Sequence, residues 1–304
     1  MNLNEYENLI KITARDYDFR KIDHGLNICE IKNSQEQIAL LRHDIDFSPS
    51  SALAIAQVEH DLGIVSTFTV LLSGRYYNPF ELETKKLLKK IASYGHSIGL
   101  HFDPKCYDVR AEDALNRHIE TEANILRNLL NLDIEMFSFH NTDEFSLSCR
   151  SEYYGGLINV YSDQFRDNID YTSDSNGYWR FRSWLELLKE RRPFIQILTH
   201  PLWWQDKNDL PPFETVLKCV FEKSFSTIND YSLNFDGQNI RLNKSYLTEW
   251  LIELNSENLP TLHNNYAQFL FEKQAFLDKH SDSYEDFICS LADVYMNKYQ
   301  IIDK

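Results

Sequence analysis

The 304-residue chain is 43% hydrophobic and carries a formal charge of -15, which supplies apolar material for a large core but argues against nucleic acid or a polybasic membrane patch as partner. No run approaches the roughly 18 to 20 apolar residues of a membrane span, and "MNLNEYENLI" has neither the basic start nor the apolar core of an export signal, so a soluble, cytoplasmic protein is expected. Five scattered cysteines, Cys29, Cys106, Cys149, Cys219 and Cys289, fit thiols in a reducing compartment better than disulfides or a zinc knuckle.

In chain order, residues 1–35 read as a lead-in. From Ile38 short β-branched or aromatic runs alternate with helical patterns. The expected strands are "IALLRHDID", "VSTFTVLL", "SIGLHF", "MFSFH", "LINVYS", "YWRFR" and "PFIQILTH". Between the first two, "PSSALAIAQVEHDLGI" has a helical face of Ala52, Ile55, Ala56, Val58 and Leu62, with Pro49 in its first turn. "ELETKKLLKKIASYG" repeats the pattern, and "RAEDALNRHIETEANILRNLLN" places Leu115, Ile119, Ile125 and Leu129 on one side. Strand and helix in alternation predict a parallel sheet covered by helices, and seven strands suggest a closed or nearly closed barrel over 36–205. From 206 to 304 the chain reads as a mainly helical appendage packed on that barrel.

Ionisable residues collect at one end of these strands. Asp44 and Asp46 end the first strand, His101 the third, His140 the fourth and His200 the last, and in barrels of this kind the working groups sit at strand carboxyl ends. Residues two apart share a face, so Asp44 and Asp46 point together while His43 points away. His96 is read as structural. Asp46 could instead cap the helix that begins at "SPSSAL". Two carboxylates and two or three imidazoles are a suitable hydrolytic metal site, in which three ligands leave a position for water and the remaining groups serve as base and acid.

The segments "RHDIDFSPSSALAIAQVEHDLGIVSTFTVLL", "GHSIGLHFD" and "ILTHP" resemble the first, second and last motifs of the NodB-type polysaccharide deacetylases of carbohydrate esterase family four, over about residues 38–204. The resemblance implies an α/β fold, an irregular barrel of seven β/α units, here with a C-terminal helical extension. It implies Asp44 as general base, Asp46 and His101 as metal ligands and His200 as general acid. Two departures stand out: Ile45 separates aspartates that are adjacent in the common motif, and Lys105 stands where a second histidine ligand is usual. A protonated ammonium cannot coordinate. His140 is the preferred replacement, with Asp103 as the alternative. Asp174 would orient His200 and Arg180 would steady Asp44 or a substrate phosphate, with solvated loop charges as the alternative for both, and Trp203 and Trp204 would floor a sugar site or equally seal the barrel end.

The expected activity is metal-dependent removal of an N-acyl, usually acetyl, group from a sugar, with zinc as the ion and manganese, cobalt or nickel as alternatives. The expected partner is an N-acylated sugar or glycan precursor, nucleotide- or lipid-linked. A degenerate barrel serving as a glycan-binding or scaffold protein, or an amidohydrolase of small non-sugar amides, are the competing readings.

Overall fold

A computed structural model of the protein describes residues 1–33, 36–204, 210–216, 218–220, 223–224 and 227. All belong to one compact unit, Met1–Asn229. The appendage expected over 206–304 lies outside the described residues, apart from the pieces between 210 and 227. Among the described residues no helix is long and apolar enough to cross a membrane, and four of the five cysteines lie there with no disulfide between them.

The elements run α1 (Leu3–Thr13), β1 (Asp18–Arg20), α2 (Ile28–Asn33), β2 (Ile38–Ile45), α3 (Pro49–Asp61), β3 (Thr67–Leu71), α4 (Leu82–Ser93), β4 (Ser97–Phe102), α5 (Glu112–Leu130), β5 (Met136–Phe139), α6 (Glu144–Ser148), β6 (Tyr153–Tyr154), β7 (Leu157–Asn159), α7 (Asp163–Asn168), β8 (Asp170–Ser173), α8 (Trp184–Lys189) and β9 (Phe194–Thr199). The nine strands form one sheet, eight of them in the order β6-β7-β5-β4-β3-β2-β9-β8 and β1 beside that path, paired to β2. All pairs are parallel except the β6–β7 hairpin. Its two-residue turn is Gly155-Gly156 with φ of 57° and 76°, a geometry that matches the strand twist and favours glycine at both positions. Among the described residues no pairing joins the two ends of this order, β6 and β8. The barrel is therefore open along that seam.

The lead-in is part of the barrel. Asp18–Arg20 pair with Ile38–Leu40 along the lower half of β2, below the point where β3 takes over at Arg42. Tyr6, Leu9 and Ile10 of α1 are buried in the main core between sheet and helices. A second apolar cluster, including Ile38, Leu40, Met136, Ile158, Val160 and Phe194, groups residues of β2, β5, β7 and β9.

Two expectations need correction. "YWRFR" is not a strand. The free edge of β9 is taken by Asp170–Ser173, paired with Ile195–Leu198, so residues 178–182 follow as loop with the Arg180 N–H donating to the Ser173 carbonyl. A run of aromatics becomes a strand only where an unpaired edge is available. On α5 the buried face is Leu115, Ile119, Ala123, Leu126 and Leu130, while Ile125 is 37% exposed. The expected stripe drifted by one residue in its second half.

The same helix buries Glu122. Its Oε1 accepts the Tyr107 hydroxyl at 2.7 Å, while its Oε2 has no hydrogen-bond partner. Burial pushes the carboxyl up to about 7, against the downward pull of the Tyr107 bond. Because the folded value exceeds the unfolded one, stability is full below pH 4.5 and falls as pH rises toward 7, by at most about 3 kcal/mol. Glu122→Gln is expected to flatten that slope, as read from urea midpoints at pH 5 and pH 8. An unchanged slope would mean that the carboxyl is ionised at no cost.

Gly99 on β4 leaves room for Met136. A Cβ there would lie 2.1 Å from the Met136 sulfur and 3.2 Å from its carbonyl oxygen. Gly99→Ala is expected to cost about 1–3 kcal/mol through overpacking, seen as a lowered denaturation midpoint.

Candidate active site and metal centre

Alternation along β2 positions the first group of site residues. Leu40, Arg42 and Asp44 share one face with their partners on β3 and β9, whereas His43 faces the opposite side. There His43 Nε2 lies 2.8 Å from Glu59 Oε1 and its Nδ1 2.7 Å from Thr199 Oγ1. Glu59 is fully buried and also takes hydrogen bonds from Tyr6 and Ser66. His43 thus ties β2 to α3 and β9. His96 is likewise structural, bonded to Ser66 and the Ala56 carbonyl.

On the inner face Asp44 is 2% exposed. It accepts from Arg42 Nε at 3.1 Å and Nη2 at 3.2 Å, from Thr69 Oγ1 at 2.7 Å and from Ser138 Oγ at 3.2 Å. Burial alone would raise this carboxyl, but Arg42, then His101 and His200, outweigh it and hold the group below its usual range. Asp44 is therefore a carboxylate ready to accept a proton. Arg42, not Arg180, steadies it. The period-two argument that pairs Asp44 with Asp46 also places Arg42 on their face, so this partner was within reach of the sequence.

Asp46 follows the end of β2. It is not a helix cap, because Ser48 takes that role by accepting from the Ser51 N–H at 3.1 Å. Instead Asp46 Oδ1 lies 3.1 Å from His101 Nε2 and 3.5 Å from His140 Nδ1, and those two nitrogens are 3.2 Å apart. Three ligand atoms bound tetrahedrally at about 2.0–2.1 Å from one ion sit about 3.4 Å from each other. The three separations match that spacing.

The hydrogen bonding agrees with an ion-binding role. Asp46 Oδ1 is buried and accepts no well-aligned hydrogen bond despite its imidazole neighbours. His101 Nδ1 is engaged by Ser138 Oγ at 2.7 Å, and His140 Nε2 by the Asn141 amide at 2.7 Å. These bonds leave His101 Nε2 and His140 Nδ1 facing Asp46, the arrangement by which a ligand's second nitrogen fixes the first. Burial opposes charge on Asp46, yet His101, His140 and His200 hold it well below the ordinary carboxylate range. Asp46, His101 and His140 form the candidate ligand set. Asp103 is occupied elsewhere, since its carboxylate accepts from the Lys105 N–H at 3.0 Å at the start of a short helical turn.

His200 closes β9 on the far side of Asp46, its Nε2 3.8 Å from Asp46 Oδ2. Asp174, fully buried just after β8, accepts from His200 Nδ1 at 2.7 Å, from the His200 backbone N–H at 2.9 Å and from Trp204 Nε1 at 2.9 Å. Burial works against charge on His200, but Asp174, then Asp46 and Asp44, push it up to about 9. The ring is cationic at neutral pH, with its Nδ1 proton directed at Asp174.

The remaining expectations divide. Trp204 is 2% exposed, packed against Tyr6 and Trp179 and bonded to Asp174, so it cannot stack on a sugar. It supports His200 instead. Trp203 is half-buried and lines the cavity beside Phe47. Arg180 lies at the same cavity with its guanidinium over Phe181. The cavity, about 760 Å³, contains Asp44, Asp46, His101, His140 and His200 in its wall.

No family model matches this sequence, and no curated protein is similar to it. Among solved structures, a carbohydrate esterase family 4 enzyme of Streptococcus mutans is 14% identical, covering 66% of this chain and 86% of its own, with a TM-score of 0.38. The chitin deacetylase of the fungus Colletotrichum lindemuthianum is 13% identical over 61% and 81%, at 0.37. A family 4 carbohydrate esterase from Bacillus anthracis is 13% identical over 73% and 86%, at 0.36. The chain is similar to these esterases and deacetylases at a distance, and its own side chains carry the functional reading.

Proposed function

We propose that the protein is a metal-dependent hydrolase that removes an N-acyl group from a sugar. The observation that carries this is the triad Asp46, His101 and His140 at ligand spacing, set between an ionised Asp44 and a cationic His200. A divalent ion, zinc by the nitrogen-rich donor set, would polarise the scissile carbonyl and acidify a water there. Asp44, held in place by Arg42, accepts the proton of the attacking water. His200 Nε2, oriented by Asp174, delivers one to the departing nitrogen. The acyl carbon leaves as carboxylate and the sugar as its free amine.

The substrate side of the reading rests on charge. Arg166 and Arg180 line the cavity, both exposed, and neither has a carboxylate partner among the described residues. On a chain of charge -15, unpaired guanidinium groups there suit an anionic substrate, such as a nucleotide- or lipid-linked amino sugar. The test is amine release from N-acylated sugar nucleotides with added zinc, manganese, cobalt or nickel. Asp44→Asn is expected to lower kcat by about 10²- to 10⁴-fold. No release from any N-acyl sugar with any of these metals would end the proposal, and preferential cleavage of small non-sugar amides would move the substrate class.

A further inference from the structure

The cavity continues well below the metal-ligand level. Gln196 and Leu198 of β9 are paired with Leu40 and Arg42 of β2, so Gln196 shares the face of Asp44. Leu40 lies four positions before Asp44, about 13 Å lower at 3.3 Å per residue. Val160, Phe165, Ile169 and Leu198 line the same cavity.

Near its lower end stands a polar side chain. Gln196 is 3% exposed and lines the cavity. Its side-chain amide offers a donor and an acceptor to a ligand group placed there. The cavity is thus apolar along part of its wall and polar near its floor.

Resting on the hydrolase reading above, we propose that this cavity binds the acyl half of the scissile amide, and that this acyl group is longer than acetyl and ends in a hydroxyl or amide that pairs with Gln196. The sugar half must stay connected to a carrier, so it belongs at the mouth with Arg180, in the loop beyond the end of β8. A lower end inside the barrel suits a chain terminus. Hydrolysis breaks the C–N bond, the water oxygen stays on the acyl carbon, and the product in the cavity is a hydroxy- or amido-carboxylate. Gln196 acts on specificity and has no part in proton transfer.

The inference is tested on the purified protein with added zinc in two ways. In the first, amino-sugar nucleotides carrying N-acetyl, N-hexanoyl or N-hydroxyhexanoyl groups, the hydroxyl at the chain end, are compared by kcat/KM. The hydroxyhexanoyl substrate is expected to exceed both others by roughly tenfold, the value of one hydrogen bond to a buried amide, and Gln196→Leu is expected to erase its advantage over hexanoyl. In the second, calorimetry measures binding of acetate, hexanoate and hydroxyhexanoate. The wild-type protein is expected to bind hydroxyhexanoate roughly tenfold tighter than hexanoate, a comparison that depends neither on turnover nor on folding of the variant. Acetyl as the best substrate, or equal binding of hexanoate and hydroxyhexanoate, would overturn the inference. If no N-acyl sugar is cleaved, the hydrolase reading fails, and the binding comparison still decides whether the cavity takes such a chain.

Discussion

His140→Ala is expected to lose the tightly bound divalent metal and at least about 10²-fold in kcat/KM, while keeping the wild-type denaturation midpoint within about 0.5–1 kcal/mol. The reasoning is local. His140 Nδ1 is 3.5 Å from Asp46 Oδ1 and 3.2 Å from His101 Nε2, so alanine would leave two protein donors where three converge. His140 is only half-buried, which keeps the cost in packing low. The paired control is Lys105→Ala. Lys105 is exposed, and it is its backbone N–H that bonds Asp103, so metal content should not change. Metal analysis after dialysis against a weak chelator, with activity measured in the same samples, gives the answer. A His140→Ala protein that retains one equivalent of metal would show that another group supplies the third ligand.

Arg42→Met is expected to cost about 3–5 kcal/mol at neutral pH, because it strands a buried carboxylate. Arg42 is 1% exposed and grips both oxygens of Asp44. With the guanidinium gone, burial is opposed by His101, His200 and the Thr69 and Ser138 hydroxyls but no longer by its main counter-charge, and the Asp44 carboxyl rises. The sign of the pH effect follows from that rise. In the variant Asp44 ionises more readily unfolded than folded, so the deficit is largest at high pH and shrinks as pH falls through the unfolded value near 4. Urea midpoints at pH 8 and pH 4.5 test this. Adding Asp44→Asn to Arg42→Met should recover at least about 2 kcal/mol at pH 8, since the stranded charge disappears. A deficit independent of pH, unmoved by the second substitution, would mean that Arg42 contributes by packing alone.

These two expectations share a cause. Arg42 holds Asp44 as a carboxylate, and Ser138, hydrogen-bonded both to Asp44 and to His101 Nδ1, connects that carboxylate to a metal ligand. Base and ligand are thus built on one network across β2, β4 and β5. A substitution at either end will be felt at the other, and double-mutant cycles are the means to separate them.

Much of this was legible in the residue pattern. Strand followed by helix identified a parallel sheet, and five of the nine strands coincide closely with short β-branched or aromatic runs, because burial on both sides demands continuous apolar stretches. Period-two alternation separated Asp44 and Asp46 from His43, since a side chain's face along a strand depends only on its position. What alternation could not supply was pairing. Whether 170–173 or 178–182 would take the edge of β9 depended on which segment the chain could bring alongside it. That the first 35 residues would complete β2 was likewise a matter of a distant edge.

The sequence by itself determined the chemical inventory of the site: carboxylates and imidazoles at the ends of successive strands, with a lysine where a ligand was wanted. Tertiary structure alone decided their roles. Only the stagger between β2, β4 and β5 brings His101 and His140 within 3.5 Å of Asp46 Oδ1. Only the docking of Trp204 against Tyr6 turns it from a sugar platform into a donor to Asp174. The register of β9 against β2, invisible in any local pattern, places Gln196 on the face of Asp44 and in the wall of a cavity. Local pattern sets which face a side chain occupies, but separations of a few ångströms between strands arise from the register of the whole sheet.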